Sequence, residues 1–409
     1  MNCSGPGYRS PKAAMLEGPR EKLMYVVCIH TDKNKSDVLC TVDIDPNSTD
    51  YCKVLSSIEV NQYGISTLHT SHCLPTGEIL ISAMGKPNGD AIGEFLCINA
   101  ETLEVKGTWT IGEKKAAFGY DFWYQPYHDV LVASEWSVPR VFKKGYTTTD
   151  IADSAIYGRS LNFYSWNERK LKQVLNLGED GIAPLEIRFL HNPKSSEGFV
   201  GCAVTSNVYK FYKTSNGEWA AKKVIQILNK QVEGWIAPQM PGMITDILIS
   251  LDDKYLYLSN WLHGDIRQYN ISDTERPKLV GQIFLGGSIL NDSKIRIIED
   301  NELTEQPAPI YIKGRRLYGS PQMLQLSLDG TRLYVTTSIF KPWDQQFYPE
   351  HVKNGSTMVK LDIDIRNGGL KLDDEFLVDF GIEKDDILLA HEMRYPGGDC
   401  TSDIWLSED

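Results

Sequence analysis

Leu248-Ile249-Ser250-Leu251-Asp252-Asp253-Lys254-Tyr255-Leu256-Tyr257-Leu258-Ser259-Asn260 reads as strand, polar turn, strand. Apolar and polar residues alternate on both sides of an Asp-Asp turn, which is hairpin chemistry. Leu324-Gln325-Leu326-Ser327-Leu328-Asp329-Gly330-Thr331-Arg332-Leu333-Tyr334-Val335-Thr336-Thr337 has the same form with different letters. A third strand follows the first copy over Gly264 to Ile271, and a fourth over Leu279 to Leu285. Four antiparallel strands per unit, with the unit repeated, is the pattern of a β-propeller blade.

The turn tracks the unit backwards. Cys73 to Ser82, Pro126 to Ser134 and His191 to Ala203 repeat it. The intervals between His72, His128, His191, Leu251 and Leu328 are 56, 63, 60 and 77 residues. Common propeller repeats run to roughly 40–50 residues, so long loops decorate each blade. The longest interval holds Asn291 to Gly319, a polar insertion with a Lys313-Gly314-Arg315-Arg316 cluster, expected on the surface. No domain boundary is visible, so residues 1–409 are read as a single all-β propeller domain. Helical periodicity is weak, with one short helix expected around Lys12 to Leu16.

The net charge of −12 disfavours contact with nucleic acid and with anionic lipid. The amino terminus lacks the apolar stretch of a signal peptide, and no apolar run is long enough to span a bilayer. Eight scattered cysteines without a Cys-x-x-Cys pair fit reduced thiols in the cytosol.

In a propeller the first strand of each blade lines the axis. Glu186 and Asp246 each stand five positions before their turn anchors, His191 and Leu251, so their carboxylates are expected at one axial level. The ordinary alternative is that they hydrogen-bond backbone. His263, in Asn260-Trp261-Leu262-His263-Gly264-Asp265, is a third channel-lining candidate. His69 and His72 form His-Thr-Ser-His and can share a face only across a bend, because strand side chains alternate. His391 lies in Ala390-His391-Glu392-Met393-Arg394. Neutral imidazoles suit copper, zinc, iron or nickel. No hydrolase elbow, phosphate loop or dinucleotide fingerprint appears. Tyr120-Asp121-Phe122-Trp123-Tyr124 reads as core more readily than as a pocket wall.

Several long strings resemble one family. They are Cys3-Ser4-Gly5-Pro6-Gly7-Tyr8, Leu68-His69-Thr70-Ser71-His72-Cys73, Gly119 to Pro126, Leu185 to Pro193, Ser259 to Asp265 and Arg394 to Cys400. The chain resembles the animal methanethiol oxidase family, also described as selenium-binding proteins. The resemblance implies a seven-bladed propeller that converts methanethiol, O2 and water to formaldehyde, hydrogen sulfide and hydrogen peroxide. It implies a copper site near the axis, with His69, His72 and His391 as the matching ligands here, and selenium as a further ligand. It also implies a cytosolic protein, with nucleus and peripheral membrane as additional locations and protein partners in intra-Golgi transport as the non-catalytic alternative. One departure matters. After Val60, family members carry a His-His pair and a Cys-Ser-Ser-Cys motif, whereas here Asn61 to Thr67 runs straight into Leu68-His69. About one blade of chain is missing, with two expected metal ligands and the selenium cysteine. Cys73 and Cys400 are poor substitutes for that cysteine.

Overall fold

The computed structural model describes residues 15–30, 38–59, 67–74, 76–86, 88–99, 105–382, 387–395 and 399–401. Of the expected amino-terminal helix only residues 15 and 16 fall within this set, and they are helical together with residue 17. The hairpins read from the turns are present. Ile244–Ile249 pairs with Tyr255–Asn260 across the Asp-Asp turn, and Leu324–Leu326 pairs with Arg332–Thr336 across Asp-Gly.

Six four-stranded antiparallel sheets follow one another along the described chain. We number the blades by their innermost strands, β1 (Leu68–Cys73), β2 (Phe122–Gln125), β3 (Pro184–Phe189), β4 (Ile244–Ile249), β5 (Leu324–Leu326) and β6 (Leu388–Arg394). In blades 1 to 5 the chain runs outward from the inner strand through three more. Blade 6 is made from both ends of the chain, with β6 inside and Leu23–His30, Val38–Asp43 and Val54–Glu59 outside it. The junction that departs from the family therefore falls between the outer strand of blade 6 and the inner strand of blade 1. A deletion there is in phase with the repeat. It removes a unit without breaking a neighbour's pairing.

An innermost strand has one edge with no sheet partner, so its amide and carbonyl groups need other partners. The preceding blade supplies them. Asp121, ahead of β2, accepts the amide of Ile187 in β3 at 2.9 Å, and Asp246 in β4 accepts the amide of Leu324 in β5 at 2.7 Å. Gln325 donates its side-chain amide to the carbonyl of Met393 in β6 at 2.9 Å. A second set of staples comes from hydroxyls on the second strands. Ser82 donates to the Tyr120 carbonyl and Ser259 to the Gln322 carbonyl, both at 2.6 Å, and Thr336 donates to the His391 carbonyl.

Apolar side chains fill the seams between blades. One cluster joins blades 1, 2 and 3 through Leu80, Phe95, Phe122, Leu161, Phe189 and Phe211. Others join blades 3 and 4, blades 4 and 5, and blades 5 and 6. Among the described residues no cluster joins blade 6 to blade 1. The inner strands record the same difference, because β3 and β4 are buried at every position while β1 exposes Ser71 and Cys73. An aromatic cap built from Trp136, Phe142, Tyr146, Trp261, Trp343 and Tyr348 covers one face of the molecule and includes Tyr120 and Leu185 at the heads of two inner strands. Trp343 in helix α1 (Lys341–Phe347) ties it together by donating to the Phe142 carbonyl at 2.8 Å. Helix α2 (Pro349–Asn354) follows α1 directly.

Candidate functional site

Alternation along β3 puts Glu186 and Arg188 on one face, and alternation along β6 does the same for Glu392 and Arg394. Both strands thus carry Glu-x-Arg toward the axis. Asp121 and Asp246 join the first pair. Arg188 bonds Asp121 and Glu186, the latter at 2.8 Å, and its guanidinium lies 3.8 Å from Asp246. It also lies 5.4 Å from the centre of the Trp123 ring, which seals its other side. One guanidinium therefore serves three buried carboxyl groups.

The three carboxyl groups do not share the charge equally. Burial disfavours ionisation of Asp121, yet Arg188 and the Ile187 amide hold it down at about 2. Burial and the Asp121 charge push the Glu186 carboxyl well above the usual range. Burial lifts Asp246 to about 7 against the pull of Arg188. Asp121 Oδ1 and Glu186 Oε1 are buried and meet no donor. A proton carried by Glu186 and given to Asp121 satisfies both oxygens at once.

Glu392 differs. Burial opposes its charge, but Arg394 and the His69 and His391 rings hold its carboxyl below the usual range. The same interactions show that His69, His391 and Glu392 lie within electrostatic reach of one another. The His391 ring is anchored through Nδ1, which donates to the Ser338 carbonyl at 2.9 Å. A carbonyl only accepts, so Nδ1 carries the proton. The Ser338 hydroxyl in turn donates to Asp344 at 2.5 Å. His69 is anchored through Nδ1 to the Thr70 hydroxyl at 3.0 Å and stacks on Tyr120 with ring centres 3.9 Å apart. Burial lowers His69 to about 4, so its ring is neutral near pH 7. In both rings Nε2 is the nitrogen outside these anchors. His69, His391, Glu392 and Arg394 nevertheless keep some solvent contact, as groups lining a channel do.

The other candidate histidines lie elsewhere. His72 is buried in the seam of blades 1 and 2, with Nε2 3.2 Å from the Phe122 carbonyl and the edges of Phe122, Trp123 and Tyr124 around it. The strand does bulge between Leu68 and Ser71, but the bend leaves His72 on the seam side. His263 is fully buried beneath the Met240 carbonyl at 3.1 Å, and its charged neighbours are Asp265, Lys230 and Arg267 rather than axial groups. Gly264 forms the turn beside it at φ +87°, where a Cβ would strike the Gly286 carbonyl. The aromatic run splits as well, with Phe122, Trp123 and Tyr124 in the core and Tyr120 against His69. The sequence reading passed over Asp121, Arg188, Glu392 and Arg394. The Glu-x-Arg shared by two inner strands was the signal for three of them.

A surface cavity of about 550 Å³ between the insertion and α2, lined by Arg316, Tyr318, Tyr348 and His351 among others, shares no residue with the axial group. The axial group is singled out by its chemistry rather than by cavity size.

The sequence profile of the 56 kDa selenium binding protein family matches residues 2–64 and 56–406. The chain belongs to that family. The profile match breaks between blade 6 and blade 1, where the in-phase deletion falls. The chain is 48% identical to a methanethiol oxidase of Xenopus laevis over 467 aligned positions, covering 98% of each chain. It is 45% identical to the human methanethiol oxidase over 470 positions, covering 99% of each. Both alignments are longer than the 409 residues of this chain, so the relatives hold segments that it lacks. A crystal structure of a hypothetical selenium-binding protein from Sulfolobus tokodaii superposes with a TM-score of 0.83 at 32% identity, covering 97% of this chain and 98% of that one.

The family resemblance implies copper, and imidazole nitrogens suit that metal. The number of donors does not. Among the described residues no three His, Cys, Asp or Glu side chains converge as a metal-binding group. Among the described residues the axis offers two imidazoles, with Glu392 committed to Arg394. These donors fall short of a metal centre. Selenium fares no better at Cys400, which is buried with its thiol pushed up to about 12, far from a reactive thiolate. Cys73 is exposed at the open side of blade 1.

Proposed function

We propose that this chain is an oxidoreductase acting on methanethiol, with dioxygen as electron acceptor and formaldehyde, hydrogen sulfide and hydrogen peroxide as products. The observation that carries this reading is the pair His69 and His391, anchored through Nδ1 and gathered with Glu392 on the axis of a chain so similar to methanethiol oxidases. A small apolar thiol would enter the channel and lie against Tyr120, under the aromatic cap that keeps bulk water from that end. A neutral His69 can take the thiol proton, and the Glu392 carboxylate favours the positive charge its ring then carries. The cytosol is the expected location. The test is hydrogen peroxide and sulfide release from methanethiol by purified protein, with elemental analysis of the same sample. Full turnover in His391→Ala would reject the axial site.

A second reading is favoured by the absence, among the described residues, of a third donor and of an apolar cluster joining blades 6 and 1. In it the chain is a binding propeller without turnover, with a selenium-related or intra-Golgi transport role. Absence of both copper and turnover, together with partner capture that the full-length relative does not reproduce, would select it.

A further inference from the structure

Asp121, Glu186 and Asp246 come from three adjacent blades and face one guanidinium in a dry part of the axis. Side-chain exposure is 0% for Asp121, 3% for Glu186 and 0% for Asp246, and 3% for Arg188. Three carboxylates around one cation would leave two charges uncompensated, which a dry site does not tolerate. The contacts rank the three carboxyl groups by the donors they receive. Asp121 Oδ2 receives both the Ile187 amide and Arg188, whereas Glu186 receives Arg188 alone. Asp246 Oδ2 receives the Leu324 amide, while its Oδ1 meets only the distant guanidinium. Asp121 is the best solvated by protein donors and holds the charge.

We propose that Glu186 and Asp246 form a proton relay that serves the axial site. This rests on the methanethiol reading. In that reaction methanethiol gives up two electrons and two protons, one proton from sulfur and one from carbon, leaving thioformaldehyde. Dioxygen takes both electrons and both protons and becomes hydrogen peroxide. Water then adds to the carbon, hydrogen sulfide leaves and formaldehyde remains. Two protons per turnover pass from substrate to dioxygen. The acid pair holds and returns them. The groups facing the pair are Arg188, Asp121 and Tyr120 from blades 2 and 3, and Glu392 and Arg394 from blade 6. Asp246, held near 7 by burial, is the member able to exchange near neutrality.

Glu186→Gln tests this. The amide keeps the acceptor for Arg188 and a donor for Asp121, but it cannot pass a proton. The expected result is a fall in kcat of about 100-fold or more with little change in KM. Asp246→Asn is expected to remove the limb of the kcat–pH profile near neutrality. A structural role would lower folded yield and leave that profile's shape alone. Infrared spectra supply a readout independent of turnover. A buried carboxylic acid carbonyl band that is absent from Glu186→Gln is expected at neutral pH, with a second component, lost as pH rises through about 7, that is absent from Asp246→Asn and kept in Asp344→Asn, because burial also lifts Asp344 to about 7. If wild-type protein shows the band but no turnover, the methanethiol reading fails and the proton pair stands. If the band is absent, or if an active wild type loses nothing in Glu186→Gln, the relay is overturned.

Discussion

Two strands of this protein carry the same Glu-x-Arg toward the axis and hold it in opposite states. In β3 the glutamate is pushed toward its acid form, and in β6 it is held as a carboxylate. Geometry within each pair is alike, since Arg188 bonds Glu186 as Arg394 bonds Glu392. The surroundings differ. Glu186 and Arg188 are each 3% exposed and share their cation with two aspartates, whereas Glu392 is 20% and Arg394 29% exposed beside two imidazoles. A local motif fixes which groups meet. The number of competing charges and the access of water fix which of them keeps its proton.

The comparison predicts its largest asymmetry at the arginines. Arg188→Met removes the single cation from a sealed carboxyl cluster and should cost about 3–5 kcal/mol in urea unfolding, the range for breaking a buried ion pair. Arg394→Met leaves a carboxylate that water reaches, and about 1 kcal/mol or less is expected. Equal losses would show that the two sites share one environment and would undo the contrast.

The pH dependence should also split. Asp246 titrates at about 7 when folded and near its ordinary 3.8 when unfolded, so the folded protein binds the extra proton. Its contribution is fully present below about pH 4 and is lost as pH rises through about 7. Glu392 has a lowered carboxyl, so its contribution is present above the ordinary glutamate range and is lost on acidification. Asp246→Asn should therefore flatten the alkaline side of the stability curve by about 1–4 kcal/mol and leave the acid side in place. Glu392→Gln should do the reverse, with a smaller amplitude because water already screens it. A curve for Asp246→Asn that overlays the wild type would place that carboxyl in the ordinary range.

The sequence announced the blades because each hairpin carries its own turn chemistry and alternation, as in Leu248 to Asn260. It announced the axial level of Glu186 and Asp246 by their equal offsets from the turns. It did not announce the proton state of either, which depends on Arg188 reaching across from another position in β3 and on Asp121 from another blade. His72 and His263 were misleading for a related reason. Each ring is buried against a carbonyl of another strand, whereas the His391 ring, which also bonds a carbonyl, keeps solvent contact at the axis. Only three-dimensional pairing assigns such a partner.

The smallest expected effects lie at the seam of blades 6 and 1, and they test why the β6 pair stays wet. In blade 1 Ser71 pairs with Ile81 and Cys73 with Ile79, and these four residues share the face turned away from blade 2. The isoleucines are half-buried there, while the opposite face carries Leu80 into the core. Ile81→Ala should cost about 1 kcal/mol or less, against about 2–5 kcal/mol for Ile247→Ala in the filled seam of blades 3 and 4. Cys73 should react with a bulky maleimide in native protein, with the adduct absent from Cys73→Ser, while the buried Cys97 and Cys202 stay unmodified until the chain unfolds. A fully protected Cys73 together with a costly Ile81→Ala would mean that this face is sealed in solution. The partial exposure of Glu392 and Arg394 would then need a cause other than the absent blade.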